Sequence, residues 1–93
     1  MIRIAVVEDD PVYSRELCGL LRRYAGEHDL QFTIREYRDG KHIVFDTEAV
    51  HDLIFMDVEM PGQDGISAAE ELRRRGSDAP ILFVTNMAQY ALQ

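Results

Sequence analysis

The chain has no tryptophan, a single cysteine, a single lysine and only three prolines in 93 residues. One cysteine, Cys18, excludes an intrachain disulfide, so stability has to come from a packed core, and the usage fits a reducing compartment. No apolar run approaches the roughly 20 residues of a membrane span. Met1-Ile2-Arg3-Ile4 lacks the basic-then-apolar layout of a secretory leader. Together these absences predict a cytoplasmic protein with no membrane partner. Internal repeats, low-complexity tracts and linkers are also missing, and the length allows one domain with a limited core. Bases are the minority charge: 10 against 17 acids, a net charge of -7. That balance argues against direct binding to nucleic acid. Arg22-Arg23 and Arg73-Arg74-Arg75 cluster late in predicted helices, where cations suit the helix dipole.

What is present is an alternation of strand and helix signals. Residues 2–7 are a short apolar run rich in β-branched residues, read as a buried strand. Asp10 and Pro11 then supply an N-cap and a first helical residue. Tyr13, Leu17, Leu20, Leu21 and Tyr24 fall on one helical face, which predicts a core-facing stripe, and the helix fades near Gly26. Residues 31–37 alternate apolar and polar, as an edge strand does. A short helix follows around Ile43-Val44-Phe45. Residues 52–57 form a third strand, and Pro61-Gly62 marks a loop. Asp64 caps a helix expected to turn Ile66, Ala69 and Leu72 inward and to stop near Gly76. Residues 80–85 form a fourth strand, and a further helix starts around Met87. Strands linked by helices predict a parallel sheet with right-handed crossovers, an α/β doubly wound fold. The near-continuous apolar runs of strands 1, 3 and 4 read as central.

In such sheets ligands bind outside the carboxyl ends of the strands. Strand 1 ends at Glu8-Asp9-Asp10, strand 3 at Asp57 and strand 4 at Thr85-Asn86. If strands 1, 3 and 4 are neighbours, carboxylates and a hydroxyl share one pocket. Two carboxylates about 5 Å apart repel by roughly 3 kcal/mol at an effective dielectric near 20, a cost that a hard dication removes. Mg²⁺ takes oxygen ligands and commonly one or two carboxylates plus phosphate, and a carboxylate can attack phosphorus in line. Asp10 reads as a helix cap rather than a ligand.

Val6-Val7-Glu8-Asp9-Asp10, then residues 53–65 with Asp57 followed by Met60-Pro61 and Asp64-Gly65, then Ile81-Leu82-Phe83-Val84-Thr85, closely resemble the receiver domains of two-component response regulators. The resemblance runs over nearly the whole chain, 1–93. The segment from Ile81 to Leu92 looks most like regulators with a LytTR-type DNA-binding output domain. The resemblance implies a flavodoxin-like sheet of strand order 2-1-3-4. It makes Asp57 the phosphoacceptor and gives Mg²⁺ the ligands Glu8, Asp9, Asp57 and the backbone carbonyl of Glu59. Thr85 contacts the phosphoryl group; Glu59, Asn86 and Met87 flank it; Pro61 and Gly65 shape the loop. The implied partners are a sensor histidine kinase and an output domain that controls transcription.

The sequence also departs from the family's pattern. The family's fifth strand, its lysine and its last helix find no match, and Lys41 is not placed to supply that lysine. Strand 4 then becomes an edge, which predicts a homodimer or a domain-swapped dimer. Two other readings are open. One is an interaction module that is never phosphorylated. The other is a Mg²⁺ phosphohydrolase, disfavoured because Glu59 stands where such enzymes carry a second aspartate. His28, His42 and His51 lack ligand spacing and read as surface or loop residues. Cys18 reads as a small buried hydrophobe. Tyr13 and Tyr24 read as core, and Tyr90 fits either a fourth helix or a partner surface.

Overall fold

A computed structural model describes residues 1–47, 49–58, 60 and 64–84. The elements are β1 (Ile2–Val7), α1 (Pro11–Glu27), β2 (Phe32–Tyr37), α2 (Gly40–Phe45), β3 (Leu53–Asp57), α3 (Gly65–Arg74) and β4 (Ile81–Val84). All described strand pairs are parallel, in the order β2-β1-β3-β4. This is the doubly wound sheet expected, with β2 at one edge. The expected helix around Met87, and Tyr90 within it, lie outside the described residues.

Side chains alternate across each strand, so the sheet has two apolar faces. Ala5, Val7, Ile54 and Met56 pack with Ile43, Val44, Ala68 and Leu72 of α2 and α3. Ile4 and Val6 pack on the other face with Cys18 of α1, flanked by Leu17, Leu21, Leu53 and Phe55. The same period of two carries Glu8 and Asp57 onto the α1 face at the carboxyl end of the sheet.

The helix ends follow their capping residues. The Asp10 carboxylate accepts from the backbone N–H of Val12 at 2.9 Å and of Tyr13 at 3.4 Å, ahead of Pro11 in the first turn. Asp39 accepts from His42 N–H and Asp64 from Ser67 N–H. Gly76 at φ 93 ends α3. Its N–H donates to the Arg73 carbonyl and that of Ser77 to the Leu72 carbonyl, a Schellman arrangement that glycine adopts without strain. Arg73 and Arg74 occupy the last turn of α3, where Arg74 and Arg75 pair with Glu71. The Arg22-Arg23 pair is placed differently: α1 runs on to Glu27 and leaves both short of its last turn.

The two longer helices are rotated from the faces that their large apolar residues suggest. In α1 the buried residues are Ser14, Cys18 and Ala25, whereas Leu20 and Tyr24 are 59% and 52% exposed. In α3 they are Gly65, Ala68, Ala69 and Leu72, and Ile66 is 52% exposed. Small residues line the contact and let each helix lie close to the sheet, while bulkier neighbours flank it. Tyr24 instead lies against His28 and Phe32 at the β2 rim, ring centroids 4.2 and 6.5 Å away. Cys18 is buried as expected. β4 lies at the sheet edge among the described residues, with Leu82 and Phe83 about half exposed.

These placements separate two truncations that the sequence alone would rank alike. Ile54→Ala should cost about 2–5 kcal/mol by leaving a cavity between the sheet and α3. Leu20→Ser should change stability by no more than about 0.5 kcal/mol. Urea unfolding of both variants checks the rotation of α1, and a large loss for Leu20→Ser would contradict it.

Candidate functional site

The site grows out of the ends of β1 and β3. The Glu8 N–H donates to the Tyr37 carbonyl at 2.9 Å, extending the β1–β2 ladder one step beyond the strand. Pairing of Val7 with Met56 sets Glu8 beside Asp57, the last residue of β3. Carboxylate oxygens of Glu8, Asp9 and Asp57 all lie within 4.8 Å of one another. Glu8 is 1% exposed and Asp57 3%, with Asp9 the most accessible of the three. Asp10 turns away to cap α1, as its place before Pro11 implies.

Neither Glu8 carboxylate oxygen meets a hydrogen-bond donor among the described residues. Burial, then the facing carboxylates of Asp57 and Asp9, push its carboxyl up to about 8. An acid in this position has two ways to relieve its cost: it keeps a proton or it shares a cation. The donor set is oxygen only, which excludes soft metals and fits a hard divalent ion such as Mg²⁺. The orphaned Glu8 oxygens are the observation that carries this fit, because a buried polar atom without a partner is costly.

Gly65 explains a further part of the local sequence. Its N–H donates to the Val58 carbonyl at 2.9 Å. A Cβ at this position would collide with the Asp57 carbonyl oxygen and lie 3.0 Å from the Asp57 carbonyl carbon. The first turn of α3 therefore sits directly on the backbone of Asp57, which only glycine permits. Thr85, Asn86, Met87, Glu59 and Pro61 lie outside the described residues. Lys41 is on α2.

Tyr13 is the residue that sequence reasoning misplaced. It is half-buried on the first turn of α1, and burial followed by the charges of Glu8 and Asp57 raises its hydroxyl. Its place in an apolar stripe disguised it as core. Arg38, just past β2, brings its guanidinium to 3.4 Å from the Glu8 carbonyl oxygen. A cavity of about 290 Å³ between the segment after α2 and the segment after α3 includes Asp46, His51 and Asp78. It involves none of the three site carboxylates. In its wall, His51 is half-buried rather than on the open surface and lies 3.1 Å from the Tyr37 hydroxyl, which donates to Asp46.

A parallel sheet of this order with an acidic pocket at its carboxyl end is the arrangement of a receiver-type doubly wound fold. The family model described as "Response regulator receiver domain" matches residues 4–93, and the chain belongs to that family. The sensory transduction protein LytT of Bacillus subtilis is 31% identical over 97 residues, covering all of this chain and 37% of that protein. The transcriptional regulatory protein CiaR of Streptococcus pneumoniae is 31% identical over 86 residues, covering 91% of this chain and 35% of CiaR. The chain thus spans about a third of the length of these two relatives. Among solved structures, the response regulator TrrA of Thermotoga maritima, determined in complex with Mg²⁺-BeF, superposes with a TM-score of 0.70 at 30% identity. The match covers all of this chain and 76% of TrrA.

The Glu8 environment predicts a pH dependence of definite sign. The folded chain holds a proton that the unfolded chain releases between about pH 4.5, the ordinary value, and about pH 8. Stability supplied by that proton is complete below the window and lost as pH rises through it. Glu8→Gln removes the titration. With a chelator present, the variant should melt at the parent's temperature near pH 4.5 and above it at pH 8. Equal melting at pH 8 would show that Glu8 is not held as described.

Proposed function

We propose that the chain is the phosphoacceptor domain of a two-component response regulator and that Asp57 receives the phosphoryl group. The observation that carries this reading is the buried, unpartnered Glu8 carboxylate set beside Asp57 and Asp9. Glu8, Asp9 and Asp57, with the Glu59 backbone carbonyl, would hold Mg²⁺. The bound ion supplies positive charge that offsets the carboxylates and the phosphoryl oxygens. The Mg²⁺-BeF bound by TrrA supports the same ligand chemistry here.

Asp57 is the nucleophile. One of its carboxylate oxygens attacks phosphorus, the P–N bond of a kinase phosphohistidine breaks, and the imidazole leaves carrying that electron pair. Burial of Asp57 holds the oxygen in place and limits the access of water to the product. Thr85 would donate to a phosphoryl oxygen, with Glu59, Asn86 and Met87 around it and Pro61 and Gly65 shaping the adjoining loop. The acyl phosphate is lost by hydrolysis, so the chain cycles between two states rather than turning over a free substrate. The similarity to LytT, which runs over all of this chain and 37% of LytT, supports a LytTR-type, DNA-binding output, a sensor histidine kinase as donor and a cytoplasmic setting.

Incubation with Mg²⁺ and acetyl phosphate, followed by intact mass measurement, tests the reading. One phosphoryl group should add to the parent chain and none to Asp57→Asn. Absence of any addition to the parent would remove the proposal. The β4 edge and the half-exposed Leu82 and Phe83 further support self-association. Light scattering should give a two-chain mass at high concentration, and a one-chain mass throughout would rule it out.

A further inference from the structure

The acidic pocket is rich in acceptors, and the first turn of α1, which begins at the same end of the sheet, carries a phenol. The alternation that turns Ile4, Val6, Leu53 and Phe55 toward α1 also turns Glu8 and Asp57 that way. The Asp10 cap and Pro11 fix where α1 begins, so its first turn stands over the carboxyl end of β1. Tyr13 lies on that turn, half-buried, while Ser14 beside it leans toward β2, donating to Glu36 at 2.7 Å. Tyr13 is thus set on the side of the two buried carboxylates. After burial, the charges of Glu8 and Asp57 are the next causes that raise its hydroxyl.

The geometry points to Tyr13 as a further phosphoryl-binding residue, its hydroxyl donating a hydrogen bond to a terminal oxygen of the group carried by Asp57. This inference rests on the phosphoacceptor reading and deepens it. The phenol forms no covalent bond and keeps its proton throughout. A tyrosine hydroxyl ordinarily titrates at about pH 10, so it is a donor across the working pH range. A hydrogen bond to a charged acceptor is among the stronger ones a side chain can make. It would strengthen as negative charge gathers on the terminal oxygens during transfer.

Tyr13→Phe keeps the ring and its packing and removes only the donor. The expected result is a loss of about tenfold or more in the rate of phosphorylation by acetyl phosphate, the size implied by a charged hydrogen bond. Affinity for Mg²⁺ alone should stay within about twofold, because the phenol donates to the phosphoryl group and not to the ion. Beryllofluoride supplies a readout that a packing role would not move. One of the bound fluorine resonances in ¹⁹F NMR should shift between the parent and Tyr13→Phe, since a fluorine that accepts from a hydroxyl differs from one that does not. Unchanged resonances, with a phosphorylation rate within about twofold of the parent, overturn the inference and leave the phosphoacceptor reading standing. Failure of the parent itself to take up phosphoryl and beryllofluoride overturns both.

Discussion

Burial of the Glu8 carboxyl against Asp57 constrains the rest of this small fold. At separations within 4.8 Å, two ionised carboxylates repel by about 3 kcal/mol or more at an effective dielectric near 20. The surroundings make the contact unavoidable. The β1–β3 register aligns the two strand ends, and the Glu8 N–H continues the ladder to β2, so the backbones that carry both carboxyls are held side by side. α1 lies close over the same end because Ser14, Cys18 and Ala25 leave it room.

Asp57 is held from two sides by different means. On the α1 face of the sheet the approach is through side chains, with carboxylate oxygens of Glu8 and Asp9 within 4.8 Å of its own. From α3 the contact is with backbone: Gly65 rests on the Asp57 carbonyl at a distance that no other residue allows. The main-chain approach fixes where the carboxylate begins, and the side-chain approach fixes what it meets. Asp57 therefore adjoins the segment that leads into α1 and the first turn of α3, and both helices start from capping aspartates, Asp10 and Asp64.

Strand limits, caps and the acidic triad were legible in the sequence because each depends on local chemistry. A β-branched run marked β1, an apolar run between two acids marked β3, Asp10-Pro11 and Asp64-Gly65 marked helix starts, and the strand-end rule located Glu8, Asp9 and Asp57. The period of two then ordered which carboxylates share a face. Helix rotation was not legible. Hydrophobic periodicity finds the stripe of largest side chains, whereas packing distance selects the smallest, so Leu20, Tyr24 and Ile66 were expected inside and lie outside. Tyr13 was hidden by the same confusion, because a tyrosine within an apolar stripe carries no local sign of the carboxylates it faces. His51, beside the Tyr37 hydroxyl, was equally unreadable, since that contact joins segments 14 residues apart.

Scale decides what this pocket can be. A domain of this size is stable by only about 5–14 kcal/mol at the usual 0.05–0.15 kcal/mol per residue. Repulsion among three clustered carboxylates is a sizeable fraction of that margin, and desolvation of Glu8 adds to it. Arg38 approaches the Glu8 carbonyl rather than its carboxylate, and Arg3 is engaged by Asp52 at the opposite end of the sheet. A structural acid pair would be expected to carry its own counter-charge. Among the described residues no donor meets the Glu8 carboxyl, so its compensation is a proton or a cation. The same repulsion ties the charge of Asp57 to that of Glu8 and Asp9.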